Sequence, residues 1–455
     1  MKDVVRLGSG SGFWGDAIDP AEESLRKGKL DYLCMDYLAE LTMALLQRMK
    51  MKNPDAGFIP DLIDHMRTLL PLARKSGTRI ICNGGGVNPR AAGEQLRLLA
   101  DELGLAGLRI AVVEGDDMVE RIDELVDAGE PLLNMETGED GFGELRERVV
   151  AANVYTDSSG IRQALAEGAD VVVTGRVSDN ALYVGPIMHE FGWSQETAHA
   201  DLIGSAITAG HIVECASACS GGMSSCFDEM PQMGMVGFPI VEFSRDGTFV
   251  ITKPEDTGGK VNSFTVKEHL VYEIADPANY IMPDGIADFT TLTLEDLGND
   301  RVRISGVRGK GIPERLKLVV GYQDGWIGEG MVMFPWPRAY ERAVKARQTL
   351  TERFERLGLQ ADDILFSFVG LDTLHGPTTK DTDIPDLNEI GLRVAVKTSS
   401  RSEADKIRRA CTQLWIMGPG GSAFGTPSKP RPVVAVWPTL IDHAAVTQSV
   451  TLLEI

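Results

Sequence analysis

Basic residues are the scarce charge in this chain: 45 lysines and arginines face 66 aspartates and glutamates, a net charge of −21 over 455 residues. A surface of that sign repels phosphate backbones and anionic lipid. It excludes a general nucleic-acid or membrane-binding face and asks any anionic ligand for a local positive pocket. Cysteine is sparse as well, six residues in all, which is not the disulfide framework that small secreted domains need. No apolar run approaches the roughly 18 residues of a membrane span. The first eight residues, Met1 to Gly8, enter a strand without the apolar segment of a signal peptide. A cytoplasmic chain with neither nucleic acid nor membrane as partner is expected.

What the chain does contain is ordinary globular material, 43% hydrophobic and 24% charged. Its length exceeds the roughly 250–300 residues at which one core stops growing, so more than one domain is expected. Up to about residue 190, short apolar runs alternate with amphipathic stretches, the mark of βα units and a largely parallel sheet. Strands are predicted at Val4–Leu7, Asp31–Tyr37, Arg79–Cys82, Arg109–Val113, Val149–Val154 and Ala169–Val173. Helices are predicted at Leu38–Met49, Pro60–Lys75, Pro89–Leu103, Met118–Asp127 and Ile161–Glu167. Runs such as Arg109–Val113 are apolar without alternation, as strands buried on both faces require. From about Gly237 the texture shifts to short strands between Gly, Asp and Pro turns, closing on the helices Arg338–Leu357 and Ser402–Leu414. The fold class is therefore α/β: a largely parallel N-terminal sheet with flanking helices over 1–236, which carries the ligand-binding loops, and a mixed α+β domain over 237–455.

In parallel α/β architectures ligands gather at the carboxyl ends of the strands. Six loops there are rich in glycine or functional groups, and together they put Asp16, Asp36, Glu40, Asn83, Asn88, Asp116, Asp117, Arg176 and Asp179 on one rim. The bland alternative is that Asp, Asn and Gly are turn and N-cap residues. The first loop has glycines at 8, 10, 12 and 15, neither a dinucleotide fingerprint nor a P-loop, and Phe13 and Trp14 suggest a pocket wall. His211, Cys215 and Cys219 lie one helical turn apart beside Glu214, a spacing that could chelate zinc, although buried cysteine is commonly a small hydrophobe. Metal binding is not expected, and no cofactor is indicated. Lys260 and Lys267 would suit a carboxylate or phosphate anchor. The glycine-rich stretches Asp256–Lys260 and Gly418–Gly425 read as turns.

The stretches 8–16 (GSGSGFWGD), 36–43 (DYLAELTM), 83–89 (NGGGVNP), 174–179 (TGRVSD), 209–215 (AGHIVEC) and 257–280 (TGGKVNSFTVKEHLVYEIADPANY) resemble the acyclic terpene utilisation family, AtuA, over about residues 4–345. The resemblance implies catabolism of citronellol- or geraniol-type or other branched acids, free or as CoA thioesters, and implies no role for any one residue. Two departures stand out. The chain has Cys219-Ser-Gly-Gly-Met223 where the family often has Thr-Gly-Gly-Tyr, so its substrate need not be a terpenoid. Longer members append a ferredoxin-like domain that this chain looks too short to include, so a small ferredoxin-like partner subunit is expected, along with homo-oligomerisation.

The chemistry read onto these residues is a lyase- or hydratase-type step on a carboxylic acid or acyl-CoA. Asp16, Asp116 or Asp117 would be the general acid or base, and Asn83 and Asn88 would donate to an enolate oxygen. Arg176, Asp179 and Lys267 would contact substrate, with Gly10, Gly12 and Gly85 letting backbone approach it. The rivals are a non-catalytic binding or scaffold subunit of an acyl-CoA enzyme complex, and a magnesium or manganese site at Asp116 and Asp117.

Overall fold

The computed structural model describes residues 2–379, 387–424 and 428–454. They divide into two compact units, Met1–Gly321 with Val436–Ile455, and Tyr322–Ala435. The first unit is organised by six strands: β1 (Val4–Ser11), β2 (Tyr32–Met35), β3 (Arg79–Cys82), β4 (Arg109–Glu114), β5 (Val149–Val154) and β6 (Val171–Thr174). Five of them form a parallel core in the order β1-β2-β3-β6-β4.

Alternation along each strand sends side chains to opposite faces. Tyr32, Cys34, Ile81, Ala111 and Val172 pack in the core beneath the helices Ser159–Ala166, Ala181–Phe191 and Ala200–Val213. Leu33, Met35, Ile80, Val112 and Val173 pack in a second core beneath Glu40–Lys52, Leu62–Ser76 and Pro89–Glu102. Helices cover both faces, which is why these strands read as unbroken apolar runs. Val149–Val154 has the same texture but leaves this sheet: β5 pairs with the long strand Arg315–Pro335 instead.

Some strands after residue 237 extend the same sheet, while Tyr280–Met282, Gly285–Asp288 and Arg308–Lys310 form a small antiparallel sheet of their own. Ile240–Ser244 pairs antiparallel with β1, followed outward by Phe249–Thr252, Val302–Ser305 and Thr293–Asp296. At the far edge Ser449–Glu454 pairs antiparallel with β4. The compact division accordingly falls at residues 321 and 436, not at 237.

The second unit contains the end of Arg315–Pro335, helix Ala339–Arg356, strands Asp363–Val369 and Glu389–Thr398, helix Arg401–Met417 and the short strand Ala423–Phe424. Its antiparallel sheet runs, in chain order of those strands, second, third, first, fourth. That is the β-α-β-β-α-β plan of ferredoxin-like domains. The fold expected on a separate subunit lies inside this chain, so chain length gives no ground for such a partner. Both helices cover one face, where Val332, Phe334, Leu392 and Val394 meet Leu350, Ile407 and Leu414. Gly330 lets Arg401–Met417 approach closely, because a Cβ there would overlap Sγ of Cys411. Gly425, the last residue of the glycine-rich stretch 418–425, lies outside the described residues.

Candidate active site

The parallel order brings five loop starts side by side: Gly12 after β1, Asp36 after β2, Asn83 after β3, Arg176 after β6 and Asp116 after β4. Hydrogen bonds link neighbouring loops along this edge. Asn83 Oδ1 accepts from the Tyr37 N–H at 2.8 Å, and its Nδ2 donates to Asp36 Oδ1 at 2.5 Å. Asp36 Oδ1 also accepts from Leu38 N–H at 3.1 Å. Asp116 Oδ2 accepts from Asn153 Nδ2 and from the Arg176 N–H, both at 2.9 Å. Gly175 is needed between them, since a Cβ at that position would run into the Asp116 carboxylate.

Arg176 is the electrostatic centre, 1% exposed. Its Nη1 donates to Leu38 O at 2.7 Å, and its Nη2 pairs with Asp179 Oδ1. Its guanidinium carbon lies 3.9 Å from the centre of the Tyr155 ring, and its buried Nε has no partner among the described residues. Burial works against its charge, but Asp179, Tyr155 and Asp36 more than offset that and hold it protonated. Asp179 opens to solvent, its side chain 34% exposed.

The carboxyls around this cation are pushed the other way. Burial, reinforced by the charge of Asp179, raises Asp36 well above the usual carboxylate range against the pull of Arg176. Glu214, at the end of helix Ala200–Val213, is raised by burial and then by Asp179 and Glu273. That helix end reaches the rim at Gly12, where a Cβ would stand 2.7 Å from the backbone of Cys215. Burial lifts Asp116 to about 6. A narrow cavity of about 10 Å³ opens beside Arg176, Tyr155, Asn153 and Glu40, room for roughly one water. At its rim Lys317 pairs with Glu40 and lies 5.2 Å from the centre of the Tyr155 ring.

Other rim residues have turn and cap duties. Asp16 closes the first glycine loop, accepting from Gly12 N–H at 2.9 Å and Ala17 N–H at 2.8 Å. Asn88 caps helix Pro89–Glu102 and donates to the carbonyls of Pro54 and Ala56. Asp117 is exposed and accepts from Val119 N–H. Gly10 and Gly85 sit where a Cβ would come within 2.8 Å of Met35 and 2.5 Å of the Thr174 carbonyl, so both serve close packing of neighbouring strand ends. Lys267 is exposed on helix Ser263–Leu270 and no contact joins it to Arg176. No group of three or more His, Cys, Asp or Glu among the described residues is arranged to hold a metal ion, neither Asp116 with Asp117 nor His211 with Cys215 and Cys219.

Three members of the site escaped the sequence reading. Asn153 and Tyr155 come from β5 and the residue after it, and Lys317 from the strand that pairs with β5. Only that long-range pairing brings them to the rim. Tyr155 directly after a predicted strand was the one local hint.

A three-layer α/β unit with charged groups on the carboxyl edge of its parallel strands is the architecture of small-molecule enzymes and binding proteins. Among the described residues no helix is long and apolar enough to cross a membrane. The family model for the acyclic terpene utilisation family protein AtuA matches residues 5–452, nearly the whole chain, and the chain belongs to that family. Comparison with curated proteins and with solved structures gives no match.

Proposed function

We propose that this chain is a catabolic enzyme of acyclic terpene utilisation that moves protons on a branched carboxylic acid or its CoA thioester, in a lyase- or hydratase-type step. The observation that carries the reading is the pairing of opposites at one strand edge: a buried, proton-holding Asp36 near an Asp179 carboxylate that Arg176 neutralises. A carboxyl that burial keeps protonated, beside a carboxylate held in an ion pair, supplies an acid and a base. Both hydrogen bonds of Asp36 go to Oδ1, leaving Oδ2 for the proton. For hydration of an unsaturated acyl group, Asp179 takes a proton from the attacking water and Asp36 delivers one to the α-carbon. The proton taken up by Asp179 returns to Asp36 through the buried carboxyls beside them, which resets the pair. Arg176 serves as counter-ion rather than substrate anchor, because it is buried and its Nη1 and Nη2 are turned to the Leu38 carbonyl and Asp179. Lys317, one-third exposed, is the cation better placed to meet an anionic head group.

A second reading, the non-catalytic binding or scaffold subunit, draws support from the narrowness of the opening, which admits no acyl chain without movement of its walls. A thermal-shift series with free branched acids, their CoA thioesters and CoA alone, followed by mass-spectrometric uptake of solvent deuterium into whichever ligand binds, separates the two. Binding with deuterium uptake supports the enzyme, binding without uptake supports the scaffold, and no binding refutes both.

A further inference from the structure

Behind the rim, helices Ala200–Val213 and Ser263–Leu270 enclose a polar nest that the sequence offered only as a weak zinc motif. His211 is 1% exposed and His269 4%. Their rings stack at 5.6 Å, with Phe289 stacked on His211 at 5.5 Å. His211 Nε2 lies 3.3 Å from the Leu270 carbonyl, and His269 Nε2 lies 3.1 Å from the His211 carbonyl. A carbonyl only accepts, so both Nε2 atoms carry hydrogen. The lone pair of a neutral His211 is then on Nδ1, where the Tyr280 hydroxyl donates at 3.2 Å.

Glu214 Oε1 stands 3.4 Å from that same Nδ1. A carboxylate oxygen facing an imidazole lone pair is repelled; a carboxylic acid is not. The alternative, a charged His211–Glu214 pair, would put a cation between the stacked rings and an anion among the carboxyls of Asp179, Glu273 and Asp36, which Arg176 already has to offset. Burial favours neutrality on both sides, lowering His211 and His269 to about 4 and raising Glu214. We propose that Glu214 is a neutral carboxylic acid in the folded protein and serves as the proton reservoir of the carboxyl cluster, with His211 as the positioning residue that keeps the proton there. The reservoir role rests on the proton-transfer reading above; the protonation state rests on the packing alone.

Two measurements on the full chain test this. Infrared difference spectra of wild type against Glu214→Gln at neutral pH should show a protonated-carboxyl band lost in the variant, and nitrogen-15 NMR should find His211 as the neutral Nε2–H tautomer. Absence of the band, or a doubly protonated His211, overturns the proposal. Glu214→Gln keeps a neutral donor facing Nδ1, so the melting temperature should hold, while deuterium uptake into a bound acid or thioester falls about 10²-fold or more. Undiminished uptake overturns the reservoir role. His211→Gln offers a carbonyl oxygen in place of Nδ1 and should retain uptake, whereas His211→Phe should lose it. If wild type exchanges deuterium into none of these ligands, the reservoir role falls with the proton-transfer reading, and the spectra still decide the state of Glu214.

Discussion

Asp116 gives the sharpest energetic test of the rim. Its carboxyl is buried and its pKa is lifted from 3.8 to about 6, chiefly by burial, against the donors Arg176 N–H and Asn153 Nδ2. A lift of about two units corresponds to about 3 kcal/mol at about 1.36 kcal/mol per unit. Because the folded-state value lies above the unfolded one, this stability is fully present below pH 3.8 and is lost as pH rises through about 6. Asp116→Asn keeps an acceptor for both donors and removes the ionisation. The variant should match wild type near pH 4 and exceed it by up to about 3 kcal/mol near pH 8. Urea unfolding of both proteins at the two pH values, compared as a difference, cancels the other titrating groups. Asp116→Ala should do worse than Asp116→Asn, because each buried donor left without a partner costs about 1–3 kcal/mol. Equal stability differences at pH 4 and pH 8 would refute the reasoning.

Two further outcomes follow from the packing. Arg176→Met leaves the Leu38 carbonyl without its donor and the part-exposed Asp179 without its cation, and should cost about 1–3 kcal/mol, read as a lowered urea midpoint. Gly330→Ala should destabilise by about 1–3 kcal/mol through its overlap with Cys411. Cys411→Ala should restore part of that loss in the double variant, since it removes Sγ but leaves a Cβ 2.9 Å away, a coupling that a thermal melt of the four-protein cycle measures.

The parallel core was legible because its strands are buried on both faces and so stand out as apolar runs between helices. Arg79–Cys82 and Val149–Val154 match the structure residue for residue. The same reasoning misplaced Val149–Val154, because a strand that pairs outside the sheet can be as apolar as one within it. Helices Ala181–Phe191 and Ala200–Val213 gave no clear period, since nine and eleven of their residues are buried and little polar face remains to mark a repeat. Where short strands between turns were expected, Arg315–Pro335 is one strand of 21 residues. The ferredoxin-like plan was hidden for that reason, although each of its helices was predicted. At the site, the loop positions of Asp36, Asn83 and Arg176 were visible and their bonding was not. Strand order sets which loops touch, and periodicity does not report it.

Asp36, and not the loop-closing Asp16, is the residue proposed to carry a proton to the substrate. Uptake of solvent deuterium into the bound branched acid or thioester should be measured for wild type, Asp36→Asn and Asp16→Asn. Uptake is expected in wild type and in Asp16→Asn, with a loss of about 10²–10⁴-fold in Asp36→Asn, whose ligand-induced thermal shift persists. Full uptake in Asp36→Asn would contradict that role.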